Sequence, residues 1–296
     1  MKKLVVAVGL ATCIFAYAHP AAAAVVLKDD LGNRIVLATP AKRIVSLAPS
    51  VTEIVYAAGA GNRLVGVSAW SDYPPAAKKL PQVGDAFRVD LERISALRPD
   101  LVIAAASATP PAAREALARL GLPILLLAPR KLEDIAREMR LVGRAAGTSQ
   151  TADHAAADFL TERERLAQIY AGVRGISVFY EISAQPLYTI GGEQIISQVL
   201  ALCGGRNVFA ELNSLAPVVD EGAVLARNPQ AILTGNDAGA QARLDAWRRW
   251  PWLTAVKSDN LFVVPSDLLA RPGPRILAGA ADVCRDLATA RRRLDR

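Results

Sequence analysis

The side chains able to do chemistry are few. Histidine, the usual base and metal ligand near neutral pH, occurs twice, as His19 and His154. His154 lies in a helical run and reads as a solvated surface residue, while His19 falls in the N-terminal leader. No His, Cys and carboxylate cluster has zinc or manganese spacing, so no metal site is expected. The phosphate-cradling G-x-x-x-x-G-K-[ST], the dinucleotide G-x-G-x-x-G and the nucleophile motif G-x-S-x-G do not occur. Gly191-Gly192-Glu193 at a helix start could aim backbone amides at an anion, or form a plain turn. No nucleophile stands with a base, so no catalytic residue is nominated. The chain reads as one that captures a solute in a cleft; an exported α/β enzyme and a sensor without a transporter are the competing readings.

The elements that would build such a cleft follow from composition. A chain of 296 residues, 52% hydrophobic and 21% charged, is too apolar for disorder and long enough for one large domain or two modest ones. With aromatics at 5%, Ala, Val, Leu and Ile must fill the core, as they do in βα units whose strands are covered on both faces. Lys2 and Lys3, the apolar stretch Leu4 to Ala18 and the small residues through Ala24 predict a cleaved export signal over residues 1–24. Thr12 before Cys13, early in the apolar run, makes a poor lipoprotein box, so no lipid anchor is expected. Without Lys2 and Lys3 the formal charge falls from +7 to +5. The Arg-rich end (Arg291, Arg292, Arg293, Arg296) reads as a solvated helix tail, and no nucleic-acid partner is expected. An oxidising compartment would join Cys203 to Cys284, two separately buried thiols being the alternative.

Past a hairpin turning at Asp30-Leu31-Gly32-Asn33, strand and helix signals alternate. Strands are expected over residues 43–47, 64–67, 100–104 and 123–127. Ser50-Val51-Thr52-Glu53 reads as a capping box opening a helix through Ala58, and Asp90 as the cap of a helix over 91–97. Helices over 111–120 and 132–146 follow. A helical run from about Ser149 to Ala171 has no Gly or Pro, and after it the rhythm restarts. Strands at 176–180, 187–190, 231–233 and 261–264 alternate with helices at 193–203, 223–226 and 274–294. The fold class is therefore α/β, with two Rossmann-like lobes (25–148 and 173–296) joined by one long backbone helix (149–172).

Several stretches carry a resemblance: Arg43-Ile44-Val45-Ser46-Leu47-Ala48-Pro49-Ser50-Val51-Thr52-Glu53, Ser71-Asp72-Tyr73-Pro74-Pro75, and Leu97-Arg98-Pro99-Asp100-Leu101-Val102-Ile103-Ala104. The second half adds Gly191-Gly192-Glu193, Cys203-Gly204-Gly205, Ala226-Arg227-Asn228-Pro229, Ser266-Asp267 and Pro274-Arg275-Ile276. Over nearly the whole mature length the chain resembles the periplasmic solute-binding proteins of ABC importers that carry cobalamin, haem and ferric siderophores. The resemblance implies the helical-backbone (class III) architecture, a periplasmic monomer, and delivery of a ligand to an ABC permease with its ATPase. It also implies a disulfide between Cys203 and Cys284. No cofactor is implied beyond the cargo, expected to be a corrinoid, with haem or a ferric siderophore as the alternative.

Carried over by position, the cleft residues are Pro49, Ser50, Trp70, Tyr188, Asp267 and Arg271. Three tryptophans of the corrinoid-binding pattern fall on Ala86, Ala105 and Ala216, with Phe87 beside the first as a substitute. A haem-binding site would need Tyr188 or Tyr180 as its axial ligand. Trp247, Trp250 and Trp252 would form either a stacking wall or a packed helix. Family members dock on their permease through one Glu per lobe. Glu92 matches the first, and Glu221 lies one residue from the second, where Gly222 stands.

Overall fold

The computed structural model describes residues 24–85 and 88–296. Residues 1–23 of the expected leader, and Phe87 with Ala86, lie outside the described residues. The expected hairpin forms: β1 (Val25–Lys28) pairs antiparallel with β2 (Arg34–Leu37). The Asp29 carboxylate accepts from the backbone N–H groups of Leu31 and Asn33 at 3.0 and 2.8 Å, and Gly32 takes the left-handed φ of +87° that closes the turn.

In the first lobe the apolar runs become four parallel strands, β3 (Ile44–Ser46), β4 (Leu64–Val67), β5 (Leu101–Ala105) and β6 (Ile124–Leu127), in the order β4-β3-β5-β6. Strands this apolar must be covered on both faces. The crossovers α1 (Pro49–Ala57), α2 (Leu91–Ala96), α3 (Pro111–Arg119) and α4 (Leu132–Ala146) supply the cover. The backbone helix α5 (Ser149–Ile169) ends two residues before the expected stop, and its 21 residues span about 32 Å. It lies close against α4: a Cβ added to Gly143 would stand 2.3 Å from that of Ala152.

The second lobe comprises β7 (Ile176–Ala184), β8 (Leu187–Thr189), α6 (Ile195–Leu202), β9 (Gly205–Asn207), α7 (Glu221–Arg227), β10 (Ala231–Gly235), α8 (Ala240–Trp247), α9 (Thr254–Lys257), β11 (Leu261–Val264), α10 (Ser266–Leu269) and α11 (Ile276–Leu294). Strands β11, β10 and β7 run parallel. One edge of β7 is shared, with β9 parallel along its start and β8 antiparallel along its end. The short β9, α8, α9 and α10 have no periodicity long enough to be read from sequence.

Four helix starts differ from expectation, the plainest being α7, which starts at Glu221 rather than Ala223 because Asp220 caps it, accepting from the Ala223 N–H at 2.7 Å. Ser50 and Glu53 do not form a capping box; α1 starts at Pro49 with Ala48 as its cap and no side-chain cap bond. Helix α6 starts at Ile195 rather than Glu193, because Gly191 and Gly192 donate their N–H groups to the carbonyls of Leu215 and Leu212 at 3.3 and 3.0 Å. Those amides are therefore unavailable to an anion, and the turn reading holds. The two glycines are needed because carbonyls press on them: an added Cβ would stand 2.0 Å from Ser214 O at Gly191 and 2.1 Å from Ala210 O at Gly192. Helix α11 starts at Ile276, after Arg275, not at Pro274.

The two lobes are not independent cores. One apolar cluster runs from Ile44 and Ile103 of the first sheet through Met139 of α4 and Ala152, Ala156 and Phe159 of α5. It continues to Val178, Leu233, Cys203 and Cys284 of the second lobe. Close packing of this kind resists hinge motion. No described helix is long and apolar enough to cross a membrane.

Candidate functional site

The loops following β5 and β6 meet the second lobe across a cavity of about 400 Å³. Ala106, Ser107, Ala128 and Arg130 line one side; Gln194, Ile195, Leu215 and Pro272 line the other. Carboxyl ends of parallel strands are where α/β sheets commonly take ligands, because the crevice is open there and loops can vary. A second cavity, about 310 Å³, lies under Trp70, Ser71 and Asp72. A larger one, about 690 Å³, is lined by the first lobe alone, between β2, α3 and β6, and shares Arg114 with the inter-lobe cavity.

Charged side chains tie the lobes together beside this cleft. Arg275 donates to Glu53 from Nε at 2.9 Å and from an NH2 nitrogen at 2.5 Å, and its guanidinium lies 4.0 Å above the Tyr73 ring. Arg271 donates to Asp72 at 2.5 Å and lies 3.7 Å from Glu53 and 3.5 Å from Asp267. These pairs join residues 222 and 199 positions apart. The hydrogen bond from Arg271, with its charge, holds the Asp72 carboxyl below its ordinary pKa despite partial burial. Arg130 and Glu193 form a third cross-lobe pair at the cavity wall. Glu53→Ala should lower stability by about 2 kcal/mol, less than for a fully buried pair because Arg275 can turn to water. Urea unfolding would read this, and a loss under about 0.5 kcal/mol would show that the pair does not hold the lobes.

The nominated residues divide. Trp70 is 77% exposed in the loop after β4, with a left-handed φ of +65°. A chain of buried hydroxyls underpins that loop: Ser46 bonds Thr52, Thr52 bonds Ser71 at 3.0 Å, and Ser71 bonds Ser68 at 3.2 Å. Tyr188 stands half-buried on β8, bridged to Val218. Pro49 is half-buried and Ser50 buried, with the Ser50 carbonyl 3.5 Å from where a Gly273 Cβ would stand. Ser50 therefore sits against the second lobe rather than facing an open gap. Asp267 is exposed in the first turn of α10, and Arg271 is occupied by three carboxylates, its side chain 14% exposed. Asp72, Tyr73, Glu53 and Arg275 were not nominated. Their stretches are distinctive in sequence, but nothing local says that they meet.

The other nominated groups are peripheral to the cleft. Glu92 is exposed in the first turn of α2, behind the cap that Asp90 makes to the Arg93 N–H at 2.9 Å. Glu221 opens α7 and is paired with Arg249. Trp247 is buried edge-on against Phe179 at 5.5 Å and donates its indole N–H to Glu181 at 2.7 Å, so packing, not ligand stacking, explains it. Trp250 and Trp252 meet edge-to-face at 6.3 Å, outside the cavities described. Tyr180 is buried on β7, and desolvation raises its hydroxyl pKa to about 12, which disfavours a tyrosinate. The sulfurs of Cys203 and Cys284 are joined, with Cα atoms 4.7 Å apart.

The periplasmic binding protein family matches residues 44–268. A vitamin B12-binding protein of Vibrio cholerae serotype O1 is 37% identical over 254 residues, 86% of this chain and 91% of that protein. The crystal structure of the periplasmic vitamin B12 binding protein BtuF of Vibrio cholerae superposes with a TM-score of 0.79 at 38% identity, covering 85% of this chain and 98% of that one. The apo periplasmic heme-binding protein RhuT from Roseiflexus sp. RS-1 superposes at 0.74 with 25% identity, covering 84% and 98%. With its two α/β lobes, single connecting helix and a cavity between them, the chain belongs to the periplasmic binding protein family.

Proposed function

We propose that this protein captures a corrinoid, cobalamin, in the cleft between its lobes and delivers it to an ABC importer in the inner membrane. The observation that carries the reading is near-full-length identity of 37% with a vitamin B12-binding protein, on a chain whose lobes are already held apart around a cavity. The mechanism is capture without turnover. Affinity comes from a preformed site that loses little freedom on binding, not from closure of a hinge.

In this reading residues 1–24 are a cleaved export signal without a lipid anchor, and the mature protein is a periplasmic monomer with lobes 25–148 and 173–296 about the helix 149–172. Trp70 and Tyr188, with Phe87, offer aromatic surface to a flat macrocycle. Pro49, Ser50, Asp267 and Arg271 shape the floor between the lobes. Glu92 and Glu221 meet arginines of the permease, Glu221 exchanging Arg249 for a partner's cation.

Haem is the second reading, favoured by the likeness to a heme-binding protein; burial disfavours Tyr180 as its axial ligand, which leaves the half-buried Tyr188. Titration with cyanocobalamin and with hemin, followed by tryptophan fluorescence, separates the two. Saturable binding of cyanocobalamin is expected; hemin binding with a tyrosinate spectrum and no corrinoid binding would overturn the proposal.

Trp70 provides a sharper test because its backbone and its ring pull in opposite directions. A left-handed non-glycine residue costs on the order of 1 kcal/mol, and this ring is too exposed to recover that by packing. Trp70→Gly should therefore raise stability by about 1 kcal/mol while weakening cyanocobalamin binding about tenfold or more. Thermal unfolding and a binding titration on the same variant check both signs.

A further inference from the structure

Among the described residues, one cation of the cleft has no carboxylate. Arg130 is paired with Glu193, Arg271 with Asp72, and Arg275 with Glu53. Arg114, on α3, stands between two cavities: it lines the inter-lobe one together with Gln194 and Leu215, borders the first-lobe one as well, and makes no ion pair among the described residues. Its Nε is buried and has no hydrogen-bond acceptor among the described residues. The Thr109 hydroxyl, in the loop that leads into α3, is buried and unpartnered as well. Two orphaned donors thus lie five positions apart on one loop-and-helix segment. A buried donor without an acceptor costs stability, and an unbalanced charge beside a cavity is tolerated where a ligand completes it.

We infer that Arg114 is an anion subsite of the cleft, and that it recognises the phosphodiester of a corrinoid's nucleotide loop. The inference rests on the corrinoid reading and deepens it: the favoured cargo is a complete corrinoid carrying that phosphate, over a corrinoid that lacks the loop. The charges lining the cavity leave it one positive charge in excess once Arg130 and Glu193 cancel. A phosphodiester carries one negative charge and two free oxygens, enough to accept from a guanidinium. Haem propionates offer a related anion, so the test distinguishes the sources.

Cyanocobalamin, dicyanocobinamide (the same ring without the nucleotide loop and its phosphate) and hemin are titrated by calorimetry against the unaltered protein, Arg114→Gln and Arg114→Lys. The unaltered protein should bind cyanocobalamin at least about tenfold more tightly than dicyanocobinamide. Arg114→Gln should remove that preference by weakening cyanocobalamin alone, and Arg114→Lys should keep part of it. Equal affinity of the unaltered protein for both corrinoids, or an equal loss for both in Arg114→Gln, overturns the subsite and leaves the corrinoid reading standing. Binding of hemin with neither corrinoid overturns the corrinoid reading itself, and the phosphodiester assignment with it.

Discussion

Replacing both Cys203 and Cys284 by alanine is expected to lower the folding free energy by about 4–5 kcal/mol. The bridge spans 81 positions, and in the chain-entropy account closing a loop of that size removes roughly that much freedom from the unfolded chain. Both residues are fully buried in the shared core. It joins the end of α6 to the middle of α11, and α11 is preceded by Arg275, which crosses to Glu53 in the first lobe. Loss of the bridge should therefore loosen the cleft as well as the second lobe. Urea unfolding of the oxidised protein beside the double variant gives the number, and a shift below about 1 kcal/mol would mean that α6 and α11 are held by packing alone.

A change in the opposite direction is expected at Glu138. This residue lies on the buried face of α4, beside the Asp30 carboxylate and without a cation on its own oxygens among the described residues. Desolvation first, and then the adjacent Asp30 carboxylate, push its pKa up to about 10. Asp30 itself is drawn below its ordinary value, because hydrogen bonds from Arg137 and others outweigh its own burial. The folded state thus holds a proton that the unfolded chain releases near pH 4.5, so stability from this group is complete below that pH and is lost progressively as pH rises toward about 10. At pH 7 the cost is on the order of 3 kcal/mol. Glu138→Gln keeps the shape of the neutral acid and has no proton to lose. It should be nearly neutral at pH 4 and more stable than the parent by about 2–3 kcal/mol at pH 7, the gap widening with pH. Unfolding at pH 4, 7 and 9 tests the slope; parallel curves for the two proteins would show that Glu138 is ionised in the folded state.

The hairpin, the βα alternation and the long helix were legible because each is written in neighbouring residues. An apolar run of four or five, an Asp cap before Leu91 or a Gly after a helix acts over one or two turns of chain. The two-lobed plan follows from the rhythm restarting after α5, and the cysteine pair from export and arithmetic. Errors concentrated at helix starts, where tertiary contacts overrode local signals: Glu53 left its expected capping role for Arg275, and Gly191 and Gly192 spent their amides on carbonyls of residues 215 and 212.

The residues around the cleft were only partly legible, for the same reason. Trp70 stands out as an aromatic in a loop, yet its left-handed backbone and the buried hydroxyls beneath it belong to the folded loop. By itself the sequence determined the class of fold, the number of lobes, the connecting helix and the cysteines available to pair. Only the tertiary structure decided which charges meet across the lobes, that the buried Arg114 Nε finds no acceptor among the described residues, and which tryptophan packs instead of facing the cleft. Secondary structure arises from interactions a few residues apart, whereas a cleft is made where chain segments some two hundred residues apart come within a few ångströms, and no local pattern encodes that meeting.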